Sequence, residues 1–310
     1  MSSATVTATP LRVKVFRGAQ NLPLLVAREQ GYFGQQGLDV ELLYTRDSLE
    51  LRNGLAGGDF HIAHTAADNA IAMKDIAGQD VAIFMGGDSG LNELFAQPGI
   101  SAIAGLAGGT LVVDAPDTAY ALQAKKVLAD AGLVAGRDFH VKPLGATYQR
   151  IRALREDASL SASILNPPFS EQARQEGFVS LGRIVDLVGP YQATTGFAMR
   201  PWLRANADIV VAYVRAYLRA LDFIRDPSNR AAMAALLARE LDLSADVAAS
   251  TCAALLEPGF GLDERAALDK RGMRNVLAIR RQFEAGADTA DPARYIDMRY
   301  YDWALAQPRL

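Results

Sequence analysis

The chain has 310 residues, which is enough for two moderate domains or for one large domain with insertions. Half of the residues are apolar and 22% are charged, as in an ordinary globular protein. The formal net charge is −3 and no long basic run occurs, so the composition argues against nucleic acid as a partner. The single cysteine excludes a disulfide within these residues.

The sequence offers little material for a metal centre. Cys252 lies in an apolar helical pattern and is predicted to be a buried core residue. With one cysteine and three histidines in the chain, we expect neither a metal site nor a cofactor.

The sequence carries no signal for membrane insertion. No stretch reaches the ~18 apolar residues that would span a bilayer. Residues 1–10 are small and uncharged, and they are predicted to be disordered. They lack the basic start and apolar core of a secretory signal peptide. Two locations stay open: periplasmic if a signal was removed, and cytoplasmic if Met1 is the native start.

Strand and helix patterns alternate in the first part of the chain. Alternating apolar residues at 12–16 predict a first strand, and Pro23 indicates the first turn of a helix. A second helix is expected between a cap at Asp47 or Ser48 and the glycine pair at 57–58. The other predicted elements here are strands at 38–43, 60–64 and 81–85 and a helix at 67–76.

The alternation of predicted strands and helices resumes after a Gly- and Pro-rich stretch at 98–109. Here we predict strands at 110–113, 139–144 and 162–165 and helices at 119–131, 148–155 and 168–175. From about Trp202 the pattern is helical, with a candidate cap at Ser244 and segments at 203–225, 229–241, 244–256, 262–283 and 292–305. Strands joined through helices predict sheets that are mostly parallel and covered on both faces. The expected fold class is therefore α/β, with two similar units and a helical C-terminal extension.

Three local patterns resemble a known family. They are residues 25–40 (LVAREQGYFGQQGLDV), residues 55–63 (LAGGDFHIA) and residues 295–297 (YID). With the order of elements, they make the chain similar over about residues 11–305 to the type II periplasmic solute-binding proteins. The group it resembles binds nitrate, sulfonates, taurine and thiamine-pyrimidine precursors.

The resemblance implies two lobes and a ligand between them. Lobe 1 would comprise residues 11–95 and 196–310, and lobe 2 residues 96–195, with crossover segments at 92–97 and 195–199. A hinge would close the lobes around a small molecule. The family also implies a monomer that delivers its ligand to an ABC permease.

Parallel strands bring their carboxyl ends, and the starts of the following helices, to one edge of a sheet. We therefore expect ligand contacts at residues that follow strands. In lobe 1, Gln20 and Asn21 stand at a helix entry, where simple capping is the alternative. Arg46 is the main candidate cation, and a surface pair with Asp47 is its alternative. The remaining candidates in this lobe are His64, Thr65, Gly87 and Asp88.

Two of these residues carry specific expectations. His64 would contact the ligand or titrate near neutral pH, and an ordinary core histidine is equally expected. Asp88 disfavours a purely anionic ligand, unless it pairs with Arg46 or binds an amine.

In lobe 2, Thr118 and Tyr120 at a helix start are the strongest candidates, and Asp117 or Thr118 is alternatively a plain N-cap. Phe169 would stack on a flat ligand. The other candidates are Asn166, Tyr191, Gln192 and Thr194. The mixed set predicts a small polar molecule with an apolar or aromatic part, because an inorganic oxyanion would require more donors and fewer carboxylates.

Three functions remain open from the sequence. Ligand capture for import is the leading one, because no nucleophile elbow, phosphate-binding loop or dinucleotide fingerprint occurs. An enzyme on the same fold, a decarboxylase or lyase of a small aromatic or heterocyclic acid, would use His64, Asp88 or Asp117 as general acid or base. A soluble ligand sensor would have the same lobes.

Overall fold

The structure is a computed structural model that describes residues 8–284 and 291–306. Its strands are β1 (Thr9–Val15), β2 (Leu38–Tyr44), β3 (Ile62–Ala66), β4 (Val81–Met85), β5 (Glu93–Ala96), β6 (Thr110–Val113), β7 (His140–Pro143), β8 (Leu160–Leu165), β9 (Val179–Arg183) and β10 (Thr194–Met199). Strand β1 begins at Thr9, so the prediction of disorder is wrong for Thr9 and Pro10, because both pair with β2. Residues 1–7 lie outside the described residues.

The α-helices cover both sheets and form most of the C-terminal third. They are α1 (Leu22–Glu29), α2 (Tyr32–Gln35), α3 (Ser48–Gly57), α4 (Ala67–Asp75), α5 (Ala119–Asp130), α6 (Thr147–Glu156), α7 (Phe169–Gln175), α8 (Ile184–Val188), α9 (Arg200–Ala205), α10 (Ala207–Arg225), α11 (Arg230–Leu241), α12 (Ala245–Leu255), α13 (Lys270–Phe283) and α14 (Arg299–Ala306). Short 3₁₀ turns occupy Ala19–Asn21, Ile103–Leu106, Pro227–Asn229 and Pro292–Tyr295. Within the described residues, no helix is long and apolar enough to cross a bilayer.

Local capping fixes several helix starts. The Asp47 carboxylate accepts a hydrogen bond from the Glu50 amide at 2.8 Å, and Ser244 Oγ accepts one from the Val247 amide at 3.3 Å. Both predicted caps are thereby confirmed. Helix α3 ends at Gly58, whose φ of 79° is accessible at low cost because glycine has no Cβ.

The strands form two five-stranded sheets of the same design. The first sheet has the order β2-β1-β3-β10-β4, and the second has the order β7-β6-β8-β5-β9. In each sheet the fourth strand in this order runs antiparallel to both of its neighbours, while the pairs β1–β2, β1–β3, β6–β7 and β6–β8 are parallel. The α/β prediction with two mostly parallel sheets is confirmed.

The chain passes between the sheets twice, earlier than expected in both cases. It leaves the first sheet after Met85 and enters the second at Glu93, and it returns between Val188 and Thr194. Most of residues 92–97 and all of residues 195–199, expected as crossovers, belong to strands β5 and β10, because antiparallel pairing extends them into the sheets. We therefore propose lobe boundaries near residues 92 and 193.

We call the first sheet with helices α1–α4 and α9–α14 the first lobe, and the second sheet with α5–α8 the second lobe. One face of the first sheet packs on α1, α10 and α14, where Tyr213, Tyr217 and Tyr300 are buried. Its other face packs on α3, α4 and α13. Helix α13 also contacts α5 of the second lobe, through a cluster that includes Leu122 and Met273.

The sequence predicted one helix over residues 262–283, but only Lys270–Phe283 is helical. The preceding residues form a loop against the end of β4. The Gly86 amide donates to the Ala266 carbonyl at 2.9 Å, and the Asp263 amide donates to the Gly87 carbonyl at 2.9 Å. This tertiary pairing overrides the helical pattern, because it satisfies backbone groups at the end of a buried strand.

The close approach of this loop requires glycine at position 86. A Cβ on Gly86 would lie 2.2 Å from the Ala267 carbonyl oxygen. Gly86→Ala is therefore expected to lower the free energy of unfolding by about 1–3 kcal/mol, because the backbone must shift. Gly34→Ala is the control, since nothing lies within 4 Å of its Cβ position. Urea titration measures both variants, and equal stability would contradict the close approach.

Candidate functional site

A cavity lies between the two sheets, at the carboxyl ends of their parallel strands. The space open to the centre of a water molecule is about 50 Å³, which corresponds to roughly three to five water molecules. First-lobe residues that line it are Phe16, Gln20, Ser48, Thr65, Ala66, Asn69 and Asp88. Second-lobe residues that line it are Asp114, Thr118, Ala119, Tyr120 and Asn166. The two crossing segments contribute Gly90, Leu91, Asn92, Ala193 and Thr194.

The predicted meeting of strand ends is confirmed. Seven of the candidate residues lie on this cavity: Gln20, Thr65, Asp88, Thr118, Tyr120, Asn166 and Thr194. Thr65 is near the end of β3, and the others follow or begin strands of the two sheets, so the topology brings them together.

Arg46 and Asp117 lie outside the cavity lining, which corrects their expected placement. The side chain of Arg46 is largely exposed, and its Nε donates to Glu50 at 2.8 Å. Asp117 accepts from Arg52 at 2.7 Å across the interface between the lobes. Asp47 does not pair with Arg46, because its carboxylate caps helix α3.

Three further candidates of the first lobe do not line the cavity either. Asn21 is buried, and its amide donates to the Phe16 carbonyl at 2.6 Å, so it holds the turn after β1. Gly87 packs against the Thr194 backbone. His64 lies in the core, where its Nδ1 is 3.0 Å from the Tyr213 hydroxyl, and burial lowers its pKa to about 3.

The remaining candidates that do not line the cavity are buried in the protein interior. Phe169 belongs to an apolar cluster of the second lobe, with Phe95 and Ile151. Tyr191 donates a hydrogen bond to Asp68 at 2.7 Å in the interior of the first lobe. Gln192 links the second crossing segment to the first, because its Nε2 donates to the Asp88 carbonyl at 3.3 Å, and to the start of α13, because its Oε1 accepts from the Asp269 amide at 2.7 Å.

Sequence reasoning missed four polar residues that line the cavity: Ser48, Asn69, Asn92 and Asp114. Asn92 immediately precedes β5, and its side-chain amide donates to Gln123 at 2.9 Å. Asp114 directly follows β6, which is the positional signal used for the other candidates. Ser48 begins α3 and was considered only as a cap. Asn69 lies in the first turn of α4, which directly follows β3, where the sequence alone gives no distinguishing signal.

Asp88 joins the two crossing segments and borders the cavity. Its Oδ1 accepts from the Gly90 amide at 3.0 Å and from the Thr194 amide at 3.3 Å. Its Oδ2 has no hydrogen-bond partner, although the residue is only 4% exposed. Burial raises the pKa of this carboxyl, and the hydrogen bonds from Thr194 and Gly90 oppose the rise.

Asp114 presents a second buried carboxylate from the opposite lobe. Its Oδ2 accepts from Ser48 Oγ at 2.6 Å, which is a direct contact between the lobes. Its Oδ1 has no partner, and the residue is 6% exposed. Burial raises its pKa, and the Ser48 hydrogen bond and the charge of Arg150 oppose that rise.

Asn166 connects the lobes at the other end of the cavity. Its Nδ2 donates to Gln20 Oε1 at 3.0 Å across the cleft, and its Oδ1 accepts from Thr147 at 3.0 Å and from Tyr120 at 3.3 Å. The Tyr120 ring stacks on the buried guanidinium of Arg150 at 4.5 Å. The side-chain amide therefore has partners in both lobes.

Further polar contacts hold the lobes in this arrangement. Arg52 of α3 forms an ion pair with Asp117 at 2.7 Å. Arg280 of α13 forms a fully buried ion pair with Asp68 at 3.1 Å and donates to the Asp117 carbonyl at 3.2 Å. The Ala19 amide donates to the Pro167 carbonyl at 3.0 Å. These contacts bridge the mouth of the cleft, which corresponds to a closed arrangement.

The raised pKa of Asp88 predicts how stability depends on pH. A carboxyl with a raised pKa in the folded state contributes stability at low pH. This contribution is lost as the pH rises from the usual pKa of an aspartate, about 3.9, through the raised pKa. In Asp88→Asn, Oδ1 still accepts from the Gly90 and Thr194 amides and no buried charge forms. We expect this variant to gain stability relative to wild type, by about 1–3 kcal/mol at neutral pH and less in acid.

Thermal unfolding of both proteins between about pH 5 and pH 8 measures this difference. The titratable groups near the Asp88 carboxyl are the hydroxyls of Tyr120 and Tyr217. Asp39→Asn, which removes an exposed carboxylate, is the control. A difference that does not change with pH over this range would show that the carboxyl is already ionised in the folded protein, and would contradict a pKa raised into this range.

The fold is shared with solved binding proteins. A protein from Bordetella bronchiseptica RB50 is 20% identical, with a TM-score of 0.80 over 96% of this chain and 97% of that chain. The ligand-binding component of an ABC-type import system from Staphylococcus aureus, solved with zinc bound, is 14% identical, with a TM-score of 0.78 over 96% and 99%. The periplasmic nitrate-binding protein of Synechocystis PCC 6803 is 15% identical, with a TM-score of 0.79 over 96% and 88%.

At these identities the likeness establishes the fold, which is the two-lobed fold of periplasmic binding proteins. A comparison of the sequence with curated proteins found no significant match. The model of the NMT1-like family matches residues 5–238, which is about three quarters of the chain. The chain therefore belongs to the NMT1-like family.

Proposed function

We propose that this protein is the solute-binding component of an ABC-type importer and binds a small polar organic ligand in the cavity between its lobes. The observation that carries the proposal is the cavity lining, to which both sheets contribute polar side chains from their strand ends. A ligand held by both lobes favours the closed state over the open one, because it gains contacts that only closure provides.

The contacts around the cavity suit capture and release. The Gln20–Asn166 and Ser48–Asp114 hydrogen bonds each join a side chain of one lobe to a side chain of the other, and all four side chains are polar. Opening the cleft exposes these groups to water, which replaces the lost hydrogen bonds at small net cost. These two contacts therefore add little to the free energy needed to open the cleft.

The placement of the candidate acid–base groups favours capture over chemistry. His64 lies in the core of the first lobe, and Asp117 is paired with Arg52. Cys252 is buried, and burial raises the pKa of its thiol to about 11, so the thiolate nucleophile does not form at neutral pH. Asp88 is the one residue of the expected acid–base set that borders the cavity.

The proposal includes a permease partner and a periplasmic location. Both are supported by solved proteins of the same fold, which include the ligand-binding component of an ABC-type import system and a periplasmic nitrate-binding protein. A monomer is part of this expectation.

The proposal is tested with a library of small metabolites, in which thermal unfolding of the protein is followed and the compound is recovered. A bound ligand raises the melting temperature in a concentration-dependent way, because it stabilises only the folded state. Recovery of the compound unchanged supports capture. Conversion of the compound into a product would instead establish an enzyme.

Asn166→Ala should weaken binding of any ligand found in this way by about tenfold, because the cavity loses an amide that reaches both lobes. Asn53→Ala, on the exposed face of α3, is the matched control and should bind as wild type. Isothermal titration calorimetry gives both affinities. Equal affinity in wild type and Asn166→Ala would place the ligand outside this cavity.

Arg52→Ala should shift the ligand-free protein toward an open cleft, because it removes the Arg52–Asp117 ion pair between the lobes. A partly exposed pair contributes ~1 kcal/mol or less, which corresponds to about a fivefold change or less in the open-to-closed ratio. Small-angle scattering should show a larger radius of gyration. Arg152→Ala removes an ion pair within helix α6 and serves as control.

An unchanged scattering profile for Arg52→Ala would show that this ion pair does not hold the cleft closed. A ligand that saturates the cavity should return the Arg52→Ala profile to that of wild type, because bound ligand supplies the contacts that the ion pair provided.

A further inference from the structure

We propose that the cavity selects a compact ligand carrying a positively charged, hydrogen-bond-donating nitrogen group, held between the carboxylates of Asp88 and Asp114. This inference rests on the proposed function and names the chemical class of its ligand. It separates this protein from the nitrate-binding protein that shares its fold.

The first observation is the unpartnered oxygen of Asp88. Its Oδ1 accepts from two backbone amides, and a hydrogen bond from the Thr194 side chain also lowers the pKa of the carboxyl. Its Oδ2 is buried at the cavity without a hydrogen-bond partner. A buried charged acceptor without a donor is costly, and native proteins rarely leave one unsatisfied. A ligand N–H group at this position would supply the missing donor and the missing positive charge together.

The second observation comes from the opposite lobe. Asp114 also uses one oxygen, Oδ2, for a protein contact and leaves Oδ1 buried without a partner. Asp88 and Asp114 both raise the pKa of Tyr120, which lies on the same cavity, so both carboxylates act on one small space. A ligand with several N–H groups can donate to both.

The third observation is the charge of the lining. None of the described residues that line the cavity is Lys, Arg or His. Two cations lie nearby but outside the lining. Arg52 pairs with Asp117. Arg150 lies behind the Tyr120 ring and donates through Nη2 to Thr147 and the Ile164 carbonyl, while its Nε and Nη1 are buried without a hydrogen-bond partner. Arg150 acts on Asp114 through space without an ion pair between them.

An oxyanion fits this environment poorly. Its oxygens would meet two carboxylates across about 50 Å³ of space, with no cationic side chain in the lining to offset the repulsion. The first turn of α5 has no side-chain cap, because Thr118 Oγ1 donates to the Ala115 carbonyl. Its amides suit an acceptor atom elsewhere on the same ligand.

Cation binding at these carboxylates is coupled to pH. Burial raises the pKa of both carboxyls, so a bound cation competes with the proton, and affinity should rise as the pH rises through these values. Asp47, Arg52 and Arg150 influence the pKa of Asp114. The carboxyls in turn influence the pKa of two tyrosines: both act on Tyr120, and Asp88 acts on Tyr217.

The test compares guanidinium with nitrate, which are planar ions of equal heavy-atom count and opposite charge. Thermal unfolding is followed at millimolar guanidinium chloride or sodium nitrate, far below denaturing concentrations, with sodium chloride at the same ionic strength as reference. Guanidinium should raise the melting temperature and nitrate should not. The guanidinium effect should be larger at about pH 8 than at about pH 5.

The variants Asp88→Asn and Asp114→Asn should each weaken the guanidinium effect by about tenfold or more. The loss should be larger for Asp88→Asn, because no Lys, Arg or His among the described residues acts on that carboxyl, whereas Arg150 acts on Asp114. Asp39→Asn, an exposed position on β2, is the matched control and should respond as wild type. A response that survives in both cavity variants would overturn the inference.

The outcomes separate this inference from the proposed function. Stabilisation by nitrate or methanesulfonate and not by guanidinium would overturn the cation class while supporting a ligand-binding cleft. Stabilisation by neither ion would also overturn the cation class. In that case the metabolite library alone tests the proposed function. Loss of the guanidinium effect in Asp88→Asn together with a wild-type response in Asp39→Asn supports both.

Discussion

The hydrogen bonds of Asp88 hold together the two segments by which the chain crosses between its sheets. Oδ1 accepts from Gly90 of the first crossing and from Thr194 at the end of the second, and the Asp88 carbonyl accepts from the Ala193 amide and the Gln192 side chain. Each crossing leads into a strand that pairs antiparallel in the sheet it enters. The hydrogen bonds of Asp88 between the two crossings therefore fix how the strand ends of the two sheets face one another. The cavity lies where these strand ends meet.

The same residue gives the site its electrostatic character. One oxygen of the Asp88 carboxylate is needed for the crossing, which places the other in a buried space without a donor. Asp114 repeats the pattern from the second lobe, with one oxygen on Ser48 and one unpartnered. In the ligand class proposed above, a positively charged group between the lobes would relieve the desolvation of both carboxylates, which also hold protein contacts. The Ser48 contact of Asp114 joins the two lobes, so the proposed ligand would meet a carboxylate that depends on closure.

The remaining contacts between the lobes act at the mouth of the cleft. The Arg52–Asp117 pair and the Arg280 hydrogen bond to the Asp117 carbonyl join α3 and α13 to the loop that precedes α5. Solved proteins with this fold include a nitrate-binding protein, although the lining described here contains no cationic side chain. A shared fold therefore does not imply a shared ligand, because the side chains at the strand ends differ between proteins with this fold.

The sequence by itself determined the alternation of strands and helices, the cap at Ser244, a cap at Asp47 or Ser48, and the edge at which polar residues of both sheets gather, because these depend on local periodicity and on the direction of parallel strands. It identified Asp88, Thr118 and Asn166 by that rule alone. Only the tertiary structure decided that Arg46 pairs with Glu50, that His64 is buried against α10 and that residues 262–269 leave the helical pattern to pair with the end of β4. It also placed Asp114 on the cavity. These outcomes depend on which groups from distant parts of the chain lie opposite one another, and the pattern of a single segment carries no information about its partner.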